Sequence, residues 1–137
     1  RHPALFDSVA NAAIPIIGSF KAQEIAITVS AFAATRHATQ TSKLLFTKVA
    51  DAIIMNAAVL QDWEDIALVA VSFAFMKARH EGNELIELIG NEVLCRKDEL
   101  SLGARELANL AAAFSYYHMI PCSKDVLELT YEKFQPQ

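Results

Sequence analysis

Residues 23–34 read QEIAITVSAFAA, residues 64–75 read EDIALVAVSFAF and residues 105–116 read RELANLAAAFSY. Set beneath one another at a step of 41, they place Ile25 over Ile66 and Leu107, Ala26 over Ala67 and Ala108, and Phe32 over Phe73 and Phe114. Within each copy the apolar positions fall at i, i+1, i+4, i+7 and i+8, as in Ile25, Ala26, Val29, Phe32 and Ala33. That spacing traces a broad buried stripe on a helix and does not match the alternation of a strand. A register held over so many residues is the mark of stacked supersecondary units.

A second set occupies the other half of each unit. ALFDSVANAAI (4–14), LLFTKVADAII (44–54) and LIELIGNEVL (85–94) align at a step of 40, with Leu5, Leu45 and Leu85 equivalent, then Val9, Val49 and Ile89, then Ala13, Ile53 and Val93. Each unit is therefore a pair of helices, and small differences in length fall in the connections. The spacing predicts helices at about 4–17, 22–35, 43–58, 63–78, 84–95, 102–118 and 124–133.

Local signals bound these helices. Pro15 predicts a kink or early end in the first helix, and Gly18-Ser19 ends it. Asp62 and Ser101 are N-cap candidates, with the acids Glu64 and Asp65 suiting the positive start of their helix. Loops are expected at residues 39–42, 81–83 and 120–123. The expected architecture is all-α: a right-handed α-solenoid in a single array over residues 1–137, with repeats at about 4–43, 44–84 and 85–123 and a partial unit at 124–137. In that last unit Val126 and Leu127 take the places of Leu85 and Ile86, and Val126, Leu129 and Phe134 are expected to need a covering partner.

Composition narrows the class. Of the 137 residues 53% are hydrophobic and 20% charged, which excludes intrinsic disorder. The net charge of −4 excludes a basic protein that coats nucleic acid through overall charge alone. The longest apolar run, Ile66 to Met76, is far short of the roughly 20 residues of a membrane-spanning helix. Cys95 and Cys122 are expected to be reduced thiols in or near the core. The opening Arg1-His2-Pro3, without an initiator Met, fits either a removed targeting segment or an internal fragment.

The paired unit, with its Leu-Phe and Val-Ala positions, a helix break, and then Gln/Glu-Ile-Ala leading to Ala-Phe-Ala, resembles the roughly 40-residue repeats of organellar helical-repeat proteins. These are the octotricopeptide and heptatricopeptide repeats and those of FAST-kinase-like and RAP-domain proteins. Where members often carry Trp in the second helix, this chain has Ser30, Val71 and Ala112. The resemblance implies RNA maturation or stability in a mitochondrial or plastid matrix, for example within a mitochondrial ribosome or an RNA-processing particle. It implies RNA, other protein subunits, or both as partners. A protein–protein scaffold without direct RNA contact is the alternative.

Two sets of side chains are candidates for RNA contact. On the first helices, Asn11, Asp51 and Asn91 share one register, with Lys48 beside them, and Asn amides can bond base edges as donor and acceptor. Arg36, Lys77 and His118 share another register, each four residues after the equivalent Phe. With His37 and Arg79 they suggest a basic rim for phosphates, although the helix dipole alone also favours cations at C-termini. Residues 1–43 carry four Lys/Arg against two Asp/Glu, whereas residues 44–84 carry three against six, so the first unit is the better place for RNA. Phe32, Phe73 and Phe114 are assigned to the core, while Trp63, Tyr116 and Tyr117 are less constrained.

No catalytic motif is present: no GxGxxG, P-loop, HExxH or nucleophile elbow, and only four Gly in the chain. The four His are not spaced for a metal or a catalytic partner. The expectation is a non-enzymatic protein without cofactor, metal or small-molecule substrate.

Overall fold

The computed structural model describes residues 3–56, 62–96 and 102–119, and beyond them residues 122, 124, 126–128 and 132. Among these every regular element is helical: α1 Pro3–Ala13, a 3₁₀ turn Ile14–Ser19, α2 Ala22–Thr35, α3 Gln40–Met55, α4 Trp63–Phe75, α5 Arg79–Arg96 and α6 Ala104–Tyr116.

The boundaries have local causes. Pro15 lacks an N–H and crowds the preceding turn, so α1 stops at Ala13 and the chain tightens into the 3₁₀ turn, as its sequence predicts. The Glu24 carboxylate accepts the Lys21 N–H at 2.7 Å and fixes the start of α2. At α3 the expected loop over residues 39–42 is instead a reciprocal cap. Ser42 N–H donates to Thr39 Oγ1 at 3.1 Å and Thr39 N–H donates to Ser42 Oγ at 2.8 Å, so the helix begins at Gln40 rather than 43.

Asp62 caps α4 as expected, its Oδ1 accepting the Asp65 N–H at 3.4 Å. The separator expected at residues 81–83 lies inside α5, where Gly82 N–H donates to Ala78 O at 2.9 Å. The N-cap of α6 is Gly103, whose N–H donates to Glu106 Oε1 at 3.3 Å; Ser101, the expected cap, lies outside the described residues.

Alternate helices pack side by side. α2 lies against α4 and α4 against α6; α1 with its 3₁₀ turn lies against α3 and α3 against α5. The two rows face each other, and Phe46 of α3 meets Phe73 of α4 with ring centroids 4.7 Å apart. Phe32, Phe46, Phe73 and Phe114 are each at most 1% exposed, so each contributes about 1.5–3 kcal/mol by leaving water.

Burial at equivalent positions depends on the neighbours. Leu45 and Leu85 are fully buried, but Leu5 is 58% exposed because no described helix flanks α1 on that side. Ala26 and Ala67 are fully buried, whereas Ala108 on α6 is exposed.

Several single-residue expectations change. Cys122 is buried but Cys95 is exposed, so only the first packs as a core thiol. Trp63 is 7% exposed and belongs to the core. Val126 is 1% exposed and already covered, while Leu127 is 57% exposed; Leu129 and Phe134 lie outside the described residues. Among the described residues no helix is long and apolar enough to cross a membrane.

Candidate functional site

α2, α4 and α6 end in the same way. Arg36, Lys77 and His118 each adopt the left-handed conformation, with φ of 53°, 53° and 60°. At α2 the Arg36 N–H donates to Ala33 O and the His37 N–H to Phe32 O. At α4 Lys77 donates to Ala74 O and Ala78 to Phe73 O; at α6 His118 donates to Ser115 O and Met119 to Phe114 O. These paired bonds are the Schellman closure, which satisfies the last carbonyls of a helix and needs a left-handed residue just after it. Glycine takes that conformation freely, while other L-residues meet a penalty of about 1–2 kcal/mol. Among the described residues these three are the only positive-φ positions, and no glycine shares the conformation.

All three side chains are exposed. α2 packs on α4 and α4 on α6, and one space lined by Arg36, Lys77 and Tyr116 brings the C-terminal ends of all three helices together. Helices so packed sit about 8–10 Å apart, which sets the approximate step of the row.

The other two rim candidates are engaged internally. His37 Nε2–H donates to Asp7 Oδ1 at 2.7 Å, and its ring stacks on Phe6 at 5.3 Å. The Thr39 hydroxyl donates to the same Asp7 oxygen at 2.8 Å. Those two hydrogen bonds, His37 first, hold the Asp7 carboxyl below its usual range. Arg79 donates from Nη2 to Tyr116 O at 3.2 Å and lies over the Tyr116 ring at 4.7 Å. His37 thus ties the end of α2 to α1, and Arg79 ties the start of α5 to the end of α6.

The first-helix set is in the other row. Asn11 on α1, Lys48 and Asp51 on α3, and Asn91 on α5 are all exposed. The structure therefore separates the two sets of candidates between the two rows of helices, except that Arg79 opens α5 in the first-helix row.

Of the less constrained aromatics, Tyr117 is internal. Its hydroxyl donates to Ala78 O at 2.5 Å, and burial pushes its ionisation well above the usual tyrosine range. At the start of α4, burial and the neighbouring Asp62 charge raise the Asp65 carboxyl.

Phe75 escaped the sequence reading. It is 59% exposed and stands in the register of Ala34 and Tyr116. The signal was present: Phe75 follows the buried Phe73 by two residues, and positions two apart on a helix face nearly opposite ways. A groove of about 260 Å³ and another of about 390 Å³ both include Arg36 and Phe75, and Lys77 lines the larger. Among the described residues no group of three or more His, Cys, Asp or Glu side chains could hold a metal ion.

Fold and site together define an all-helical protein whose alternate helices end in a cationic edge. No family model, curated protein or solved structure matches the chain.

Proposed function

We propose that the chain is a right-handed α-solenoid of about three and a half helix pairs, repeating every 40–41 residues, and that it is a non-catalytic protein associated with RNA in an organelle. The packing of alternate helices, and the return of one helix ending at Arg36, Lys77 and His118, support the repeat reading. The placement in a mitochondrial or plastid particle, such as a mitochondrial ribosome, rests on the resemblance to organellar helical repeats.

The observation that carries the RNA reading is the cationic row. A cation at a helix C-terminus gains about 0.3–1 kcal/mol from the dipole and spares the roughly 0.4–1 kcal/mol of chain entropy that glycine costs, which together do not exceed the roughly 1–2 kcal/mol that glycine would save in the left-handed conformation. The fold alone is therefore no better served by Arg36, Lys77 and His118 than by three glycines. An anionic strand laid along the edge accounts for all three. The net charge of −4 does not oppose this, because Arg36 and Lys77 border one space that no carboxylate of the described residues lines.

The test is a titration with RNA at several salt concentrations. Affinity should fall steeply with salt, and Arg36→Glu with Lys77→Glu should weaken it and flatten the slope by about 0.7 per lost phosphate contact. No affinity at low salt, or affinity indifferent to both reversals, ends this reading.

A second reading, a scaffold for other protein subunits, is favoured by the apolar surface of α1 and its turn, where Leu5, Val9 and Ile16 are 58%, 45% and 54% exposed. Isolation of the native particle distinguishes the two by whether the chain crosslinks to RNA.

A further inference from the structure

We infer that the groove walled by Phe75 receives one unpaired base of a single-stranded RNA, stacked on the phenyl ring, with Arg36 and Lys77 holding the flanking phosphates. This rests on the RNA reading above and specifies the form of ligand that the edge takes.

The groove follows from a size mismatch between equivalent positions. Where α4 presents Val71, Ala74 and Phe75, α2 presents Ser30, Ala33 and Ala34 in the same register. Small side chains on one helix facing a large ring on the next leave an open slot of about 260 Å³ on one side of Phe75. A second space of about 390 Å³, also lined by Phe75, runs to Arg36, Lys77 and Tyr116. Phe73, two residues earlier, is fully buried, so the core does not need the Phe75 ring.

The chemistry of the walls selects the occupant. A flat aromatic face 59% open to solvent offers stacking to any base. Tyr116, in the same register one unit on, has Arg79 over its ring, which leaves Phe75 as the open platform of the pair. Arg36 borders both spaces, Lys77 borders one, and among the described residues no carboxylate lines either. Two cations beside an open aromatic ring fit a stacked base between two phosphates. Bases inside a duplex keep both faces covered by their neighbours and cannot reach the ring.

Binding of the full chain to short labelled single strands of mixed sequence, to the matching duplex and to inorganic polyphosphate, each at several salt concentrations, tests this. Phe75→Leu should weaken the single strand roughly 5- to 150-fold, as expected for loss of one stacked base. It should leave the salt slope and the polyphosphate affinity unchanged, and Phe75→Tyr should restore binding. Unchanged melting of Phe75→Leu, expected for so exposed a side chain, assigns the loss to the ring. If Lys77→Glu weakens binding while Phe75→Leu does not, the stacking site is overturned and the cationic row stands. If the duplex binds as tightly as the single strand, stacking is likewise overturned. If no RNA binds at low salt, both proposals fall, and an acidic peptide becomes the ligand to examine at the groove.

Discussion

Tyr117 and Gly82 compete for one space: a Cβ built on Gly82 would lie 2.5 Å from the Tyr117 hydroxyl oxygen and 2.5 Å from Phe73 Cδ2. The hydroxyl is fixed because it donates to Ala78 O, and Phe73 is fixed because it is fully buried. Three turns of chain, from α4, α5 and α6, thus meet around a missing side chain.

In an ordinary helix Gly→Ala is stabilising by about 0.5–1 kcal/mol. Here the contacts reverse the sign. Gly82→Ala should cost about 1–3 kcal/mol, because neither neighbour can move without opening the core or breaking a buried hydrogen bond. Urea denaturation checks this, and an unchanged or raised midpoint would count against the packing described.

Tyr117 also gives the fold an alkaline limit. Burial raises its ionisation above the normal tyrosine value near 10, so the unfolded chain loses this proton first as pH rises. The stability it contributes is complete below about pH 10 and is lost progressively above it. Tyr117→Phe lowers stability at neutral pH by about 0.5–1.5 kcal/mol through the lost bond to Ala78, yet its melting temperature should fall less steeply than that of the parent above pH 10. Parallel curves would show that Tyr117 is not the group responsible.

At the other end of the molecule, Asp7 links α1 to the turn after α2 through His37 and Thr39. Hydrogen bonds to its charged form lower its folded ionisation, so its contribution is present above the unfolded value near 3.9 and is lost as pH falls through the folded one. Asp7→Asn should be less stable than the parent at neutral pH, and the difference should shrink below about pH 4. Amide exchange in α1 should accelerate in this variant while the core of α4 keeps its protection.

Much of this was legible in the chain. Phe32, Phe73 and Phe114 announce the buried stripe because the pattern repeats, and Pro15 and Asp62 act through backbone chemistry that needs no tertiary context. The misses share a cause. Gly82 reads as a breaker from its own conformational freedom, but its role is set by Phe73 and Tyr117, one of which lies in α4 and the other just beyond α6. Thr39-Gln-Thr-Ser42 reads as loop because hydroxyl residues favour turns, yet the same hydroxyls close a helix start when paired three apart. The basic register was visible, but its left-handed backbone was not, since Arg36 and Lys77 carry no local preference for that conformation and only His118 does.

That last point yields the sharpest separation of fold from function. Lys77 holds φ at 53°, where a Cβ is strained, and Ala removes the charge without removing the strain. Lys77→Gly should therefore be more stable than Lys77→Ala by up to about 1.5 kcal/mol once glycine's extra chain entropy is deducted, and about as stable as the parent after about 0.3–1 kcal/mol of dipole interaction is lost. Both variants should bind RNA equally weakly, because each lacks the same cation. A glycine variant that melts higher but binds less would show that the position is kept basic against the interest of the fold. Equal melting of the Gly and Ala variants would instead mean that the left-handed turn relaxes in solution, and the cationic row would lose its geometric basis.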